Sequence, residues 1–294
     1  MRVLITGAHG QVGHELMRCA PAGFELVGLG SAELDIANAG QVAEVVARVQ
    51  PQLIINAAAY TAVDKAESDA ARAFAVNRDG VAHLACAAER LAIPLLHIST
   101  DYVFAGDAAK PYRESDPTGP TGVYGASKLA GEQALAEQCS RYLILRTSWV
   151  FGAHGNNFAK TMLRLGRERD SLAVVADQHG GPTAALAIAK MLWRLAERYR
   201  SNGTLPWGVY HYSGAPACSW HEFAEAIFQQ ALEQGLLPRV PSMQGITTAD
   251  YPTPARRPAW SVLDGSRLLN TFGIEQPDWR ADLREVLREL ASVG

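Results

Sequence analysis

The chain has 294 residues, 48% of them hydrophobic and 19% charged, with a formal net charge of −3. That length and apolar content suit one large α/β domain, or a main domain with a smaller lobe, and leave room for a sizeable core. The weak acidity gives no electrostatic footprint for nucleic acid or a membrane surface, so neither is expected as a partner and any phosphate must be held by local features.

Residues 2–6 form a short β-branched apolar run that reads as a buried strand. The turn Gly7-Ala8-His9-Gly10-Gln11-Val12-Gly13 follows, and then an amphipathic pattern of Val12, Leu16, Met17 and Ala20. Strand, glycine turn, helix is the context of a dinucleotide fingerprint, here spaced Gly-x-x-Gly-x-x-Gly. In that reading Gly7 permits the tight turn, Gly10 lets the backbone approach a pyrophosphate, and Gly13 lets helix and strand pack closely. The helix N-terminus supplies N–H groups and a positive dipole end.

A second strand is expected at 25–29, a helix at 41–49 and a third strand at 53–57. A long Ala-rich helix follows at 70–91, then a fourth strand at 95–99, a helix at 123–137 and a fifth strand at 142–147. This alternation implies a doubly wound parallel sheet of Rossmann type with helices on both faces. Ligands in such sheets bind at the carboxyl ends of the strands. The glycine turn, 56–61, Ser99-Thr100 and 147–149 all fall there.

After about residue 150, Pro and Gly become frequent and tryptophans cluster. Helices are expected near 184–200, 219–234 and 278–292, and 235–258 reads as loop. The expected division is a cofactor-binding domain over 1–150 and a mainly substrate-binding lobe over 151–294, with some of its segments returning to the main sheet. Cys19, Cys86, Cys139 and Cys218 form no Cys-x-x-Cys and read as free thiols in a reducing, cytoplasmic compartment. The eight histidines suggest no metal cluster. The N-terminus begins a strand at once, with no room for a signal peptide, and no run of about 18 apolar residues suggests a membrane span.

Tyr124 and Lys128 stand four apart, and on a helix they would share a face. A lysine ammonium beside a phenol lowers its pKa from about 10, and such a tyrosine can protonate a ketone oxygen as hydride reaches the carbon. Alone, this spacing is a weak signal that more often describes a solvated surface pair. Thr100 follows the fourth strand, where its hydroxyl would face the same crevice; Ser99 is the adjacent alternative.

After the second strand, 28–36 offers neither an acid at the strand tip nor an arginine; Glu33 comes a few residues late. Cofactor preference between NADH and NADPH therefore stays open. Asp64, Lys65 and Glu67 read as a solvated helix start with acidic residues near its N-terminus. Trp149 reads either as a hydrophobic plug between lobes or as a ligand contact.

The glycine turn and the Tyr124/Lys128 pair occur with Asn56–Glu67, Ser99–Phe104, Arg146–Phe151, Asn156–Met162, Asp177-Gln178 before Gly181-Pro182-Thr183, and Pro254–Pro258. Together they resemble the extended short-chain dehydrogenase/reductase family over nearly the whole chain, in order. The resemblance implies NAD(P)H-dependent reduction of the C4 ketone of dTDP-4-dehydro-L-rhamnose to dTDP-L-rhamnose, a nucleotide-sugar step toward lipopolysaccharide O-antigen. It implies Thr100, Tyr124 and Lys128 as the catalytic group. It implies a cofactor site of Gly7, Gly10, Gln11, Val12, Gly13, Asp35, Ile36, Ala59, Tyr60 and Thr61 with Tyr124 and Lys128. For substrate it implies Thr100, Asp101, Trp149, Asn156, Asn157 and Phe158, with Arg256 or Arg257 on the diphosphate.

Related dehydratases carry Thr-Asp-Glu at 100–102. Tyr102 replaces that second carboxylate here, which disfavours loss of water. Another nucleotide-sugar reductase, an epimerase, or a non-catalytic subunit like the regulatory subunit of methionine adenosyltransferase stay open as alternatives. The family often forms homodimers, some with a divalent cation such as Mg, but no carboxylate cluster in this sequence calls for a metal.

Overall fold

The computed structural model describes residues 1–293. Six strands form one parallel sheet: β1 (Arg2–Thr6), β2 (Glu25–Leu29), β3 (Leu53–Asn56), β4 (Leu95–Thr100), β5 (Tyr142–Thr147) and β6 (Gly208–His211). Their spatial order is β6-β5-β4-β3-β1-β2. The order reverses between β1 and β3, and that crevice is where a doubly wound sheet binds its ligand. The Rossmann-type class expected from the alternation is the one observed.

Both faces of the sheet are buried, as parallel strands require. Val3 and Ile5 of β1 pack with Leu53, Ile55, Leu143 and Leu145 against Ile188, Leu192 and Leu195 of the helix Ala185–Asn202. Leu4, Ile54 and Ile144 point the other way, onto Val42, Val45, Val81 and Leu84. The sequence beyond 150 therefore supplies both a strand and a covering helix to the main sheet. A separate core around Phe151, Phe223, Phe228, Trp279 and Leu283 holds the rest of the second half together.

Strands 2–6, 25–29 and 142–147 lie where the apolar pattern put them. Three features depart from expectation. The helix expected at 70–91 is interrupted by a π-helical turn at Ala75–Asp79 between Ala70–Phe74 and Gly80–Arg90. The segment read as loop contains a strand, Ser242–Ile246, parallel to Ser171–Val175. Its side chains are largely exposed, so it carries no apolar alternation to reveal it. Helices at Phe158–Glu168 and Ser266–Phe272 also went unanticipated.

Among the described residues no helix is long and apolar enough to cross a membrane. All four cysteines are free. No group of three or more His, Cys, Asp or Glu among the described residues is arranged to hold a metal ion.

Candidate active site

The glycine turn is fixed by close approach. Gly7 has φ +71°, and a Cβ there would lie 2.5 Å from the Ala58 nitrogen; one on Gly13 would lie 2.0 Å from the Gly7 carbonyl oxygen. No side chain fits between turn, helix and the loop after β3. Helix Gln11–Arg18 starts at Gly10 with no side-chain cap, so its first N–H groups stay free for an anion.

A cavity of about 600 Å³ opens at the carboxyl ends of the strands, lined by Gly10, Gln11, Val12, Ala59, Thr61, Thr100, Asp101, Tyr102, Tyr124, Lys128, Trp149 and Asn156. A second cavity, about 410 Å³, lies toward β2 and is lined by Gly7, Asp35, Ile36, Tyr60 and Arg72. The two share His9, Gly10, Ala57 and Ala59. Gly13 lines neither; it sets how closely the helix meets the turn at Gly7 and Ala8.

Thr100, Tyr124 and Lys128 all reach the larger cavity. Thr100 is buried at the end of β4; Tyr124 and Lys128 are one turn apart on helix Val123–Gln138. The electrostatics differ from the simple expectation. Lys128 is buried and donates from Nζ to the Ile98 carbonyl oxygen at 2.7 Å. Burial brings its pKa down to about 8, opposed by the Glu132 carboxylate. Burial pushes the Tyr124 phenol up to about 12; a hydrogen bond with Thr100 works against that rise and the Asp101 charge adds to it. The ammonium turns to β4 rather than to the phenol, so Lys128 does not lower the Tyr124 pKa in this state.

Asp101 is buried, and its Oδ1 accepts from Thr100 Oγ1 at 2.9 Å. Its Oδ2 has no partner within the chain, and burial raises its pKa to about 6. Tyr102 packs edge-on against Tyr124 with ring centroids 5.5 Å apart.

Several supporting residues carry no motif and were missed. Glu132, one turn beyond Lys128, takes a two-pronged contact from Arg146 (2.6 Å from Nη2) and a hydrogen bond from Ser99 Oγ. Ser99 and Thr100 both line the cavity, with the Ser99 hydroxyl donated to Glu132 and the Thr100 hydroxyl to Asp101. Asn77, on the π-helical turn, accepts from the Tyr60 nitrogen at 2.8 Å and donates to the Tyr60 carbonyl and to Ser127 Oγ, both at 3.0 Å. It ties the loop after β3 to the helix Val123–Gln138. A Cβ on Gly131 would sit 1.9 Å from the Asn77 carbonyl oxygen, so that glycine sets how closely the two helices meet. An Asn and a Gly inside Ala-rich helices were the available signals. Beneath them, Thr6 Oγ1 donates to Asn56 Oδ1 (2.6 Å), and Asn56 Nδ2 lies 2.9 Å from His97 Nδ1. Burial, and then the Lys128 charge, hold His97 well below the usual imidazole range, so it stays neutral.

On the substrate side the expected residues divide. Asp101, Trp149 and Asn156 line the cavity. Trp149 has φ +47° and stacks on Trp220 with centroids 3.5 Å apart, so it both plugs and borders the site. Asn157 instead caps the helix Phe158–Glu168 through Lys160 N (3.1 Å) and donates to Gln11 Oε1 (3.0 Å). Phe158 packs with Trp220 and Phe223. Neither Arg256 nor Arg257 reaches the cavity wall. Arg257 is held 2.7 Å from Asp64 Oδ2, and Asp64 Oδ1 accepts from Ala255 N at 3.2 Å. Asp64 lies in the first turn of the short helix Val63–Ala66, as expected, and is in addition a long-range anchor. Glu67 likewise reaches 56 residues onward to accept from Val123 N at 2.9 Å, capping the helix Val123–Gln138.

A doubly wound sheet, a glycine turn at its switch point and a Thr-Tyr-Lys group on the adjoining wall define a nucleotide-dependent oxidoreductase of the short-chain dehydrogenase type. The family model described as RmlD substrate binding domain matches residues 1–292. The dTDP-4-dehydrorhamnose reductase of Aggregatibacter actinomycetemcomitans is 47% identical, over 97% of this chain and 98% of that one. The enzyme of the same name from Burkholderia thailandensis is 46% identical over 99% and 100%. A crystal structure of dTDP-4-dehydrorhamnose reductase from Bacillus anthracis, in complex with NADP, superposes with a TM-score of 0.91 at 38% identity, covering 98% and 99% of the two chains. The chain belongs to the dTDP-4-dehydrorhamnose reductase family.

Proposed function

We propose that this protein reduces the C4 ketone of dTDP-4-dehydro-L-rhamnose to dTDP-L-rhamnose with NADPH or NADH. The observation that carries the reading is the convergence of Thr100, Tyr124 and Lys128 on the cavity into which the glycine turn opens. The residues fit a dinucleotide: Gly10 borders both cavities, the helix after it lacks a side-chain cap, and the small Ala57 and Ala59 join the two spaces. Gly7, Gly10, Gln11 and Val12 would hold the pyrophosphate, Asp35, Ile36 and Tyr60 the adenosine end, and Ala59 and Thr61 the approach to the nicotinamide. When bound, the reduced nicotinamide supplies a hydride to the ketone carbon, which no side chain here can do.

Tyr124 gives its proton to the ketone oxygen. With its pKa pushed up to about 12, the phenol is fully protonated at neutral pH. Transfer becomes favourable only as the oxygen gains alkoxide character, so donation follows the attack on carbon. Thr100 positions that oxygen beside the phenol. Lys128 spends one of its three donors on Ile98; the other two serve the nicotinamide ribose and the charge left on Tyr124. Asp101, Trp149 and Asn156 contact the nucleotide sugar, and Arg257 acts by anchoring its loop to Asp64.

In this reading residues 1–150 carry the cofactor, and 151–294 mainly shape the sugar side. Free thiols and a pyridine nucleotide suit the cytoplasm. A homodimer is the family-based expectation, measurable by sedimentation. The test of function is NADPH oxidation with a panel of 4-keto sugar nucleotides. Turnover with dTDP-4-dehydro-L-rhamnose supports the reading. Sugar interconversion with retained oxidised cofactor would mean an epimerase, and cofactor binding without turnover on any of them a non-catalytic subunit.

A further inference from the structure

The loop after β2 lacks the acid or arginine that distinguishes NAD from NADP in this kind of sheet, but the fold brings both charges to it from elsewhere. The smaller cavity is walled at the β2 end by Gly30, Ser31, Asp35 and Arg72. Arg72 belongs to the short helix Ala70–Phe74, beyond β3, and its Nη2 lies 3.1 Å from Asp35 Oδ2. Both side chains stay accessible, Arg72 at 47% and Asp35 at 34%. Glu33, the acid nearest the strand tip, stands behind this wall and does not line it: its Oε2 accepts from Gly30 N at 2.8 Å and its Oε1 lies 4.0 Å from His9 Nε2.

We infer that Arg72 reads the ribose 2′ position of the cofactor, its guanidinium taking the 2′-phosphate of NADPH, while Asp35 restrains that preference and keeps the site open to NADH. The inference rests on the cofactor reading above. The geometry gives each partner a use. A 2′-phosphate carries a charge of about −1.5 to −2 and outcompetes a single carboxylate for a planar fork. A 2′-hydroxyl has no charge to offer Arg72, but it can donate to Asp35. With the ion pair intact, the arginine is partly neutralised before any cofactor arrives, which lowers its selectivity without abolishing it.

The test uses the full chain and two adenosine probes, 2′,5′-ADP and 5′-AMP, titrated calorimetrically. The wild-type protein should bind 2′,5′-ADP more tightly. In Arg72→Ala the ratio of the two affinities should fall by about tenfold or more, as expected for loss of a charge-assisted bond. Arg72→Lys, with the charge but not the fork, should give an intermediate ratio. Asp35→Asn should raise the ratio, because Asn keeps the Oδ1 acceptor for Ala37 N (3.1 Å) but frees the guanidinium. An Arg72→Ala ratio equal to the wild-type one overturns the assignment, as does a wild-type ratio near one with AMP bound. If the protein binds neither probe nor NADPH, the cofactor reading itself falls, and this inference with it.

Discussion

Lys128 donates from Nζ to the carbonyl oxygen of Ile98, 2.7 Å away, across the gap between the helix Val123–Gln138 and β4. That bond and the burial around it determine how the lysine works. Its pKa of about 8 means that the ammonium loses its proton as pH rises through that value. Activity and cofactor affinity should therefore decline on the alkaline side of about pH 8. Lys128→Met should weaken cofactor binding and remove that alkaline limb. A pH profile with the same limb in the variant would assign the titration to another group.

Tyr124→Phe should cut kcat by at least about 10² while leaving cofactor binding nearly intact, since the proton and not the ring is used in chemistry. Stopped-flow measurement of the chemical step, beside a cofactor titration, separates the two. A near wild-type rate would sink the role given to this phenol.

Glu132 and Arg146 form a buried ion pair, with side-chain exposures of 4% and 5%. Removing one partner leaves an uncompensated buried charge, a loss of about 3–5 kcal/mol. Glu132→Ala should show it in denaturant midpoints. Glu132→Gln should also move the alkaline limb to lower pH, because the carboxylate is what holds the Lys128 pKa up against burial. A loss below about 1 kcal/mol would mean that the site collapses or hydrates around Arg146.

Arg257 and Asp64 sit 193 positions apart, with exposures of 21% and 42%. Arg257→Ala should raise the substrate KM more than it lowers kcat, and Asp64→Asn should have a similar effect. The double variant should be less than additive by about 0.5–1 kcal/mol, the range for a partly exposed pair. Strict additivity would mean that the two act separately, and would return Arg257 to a direct diphosphate contact.

The sequence by itself determined the strands of the sheet, the glycine turn and the helix that carries Tyr124 and Lys128. Each is a local pattern: apolar runs such as 2–6 and 142–147 bury on both faces, and Tyr124 and Lys128 share a face because four residues make about one helical turn. The strand Ser242–Ile246 escaped because its exposed side chains leave no periodic trace. Direction and partnership were decided only by the tertiary structure. Ser99 gives its hydroxyl to Glu132, a residue 33 positions away, and Thr100 gives its own to the adjacent Asp101. Lys128 turns to Ile98, Arg72 meets Asp35, and Arg257 meets Asp64. Asn157 and Phe158 go to a helix cap and an aromatic core instead of the cavity. Such choices depend on which polar group lies nearest once distant segments are packed, and desolvation then fixes the protonation states. Neither quantity exists in an unfolded chain, so neither is written in its local pattern.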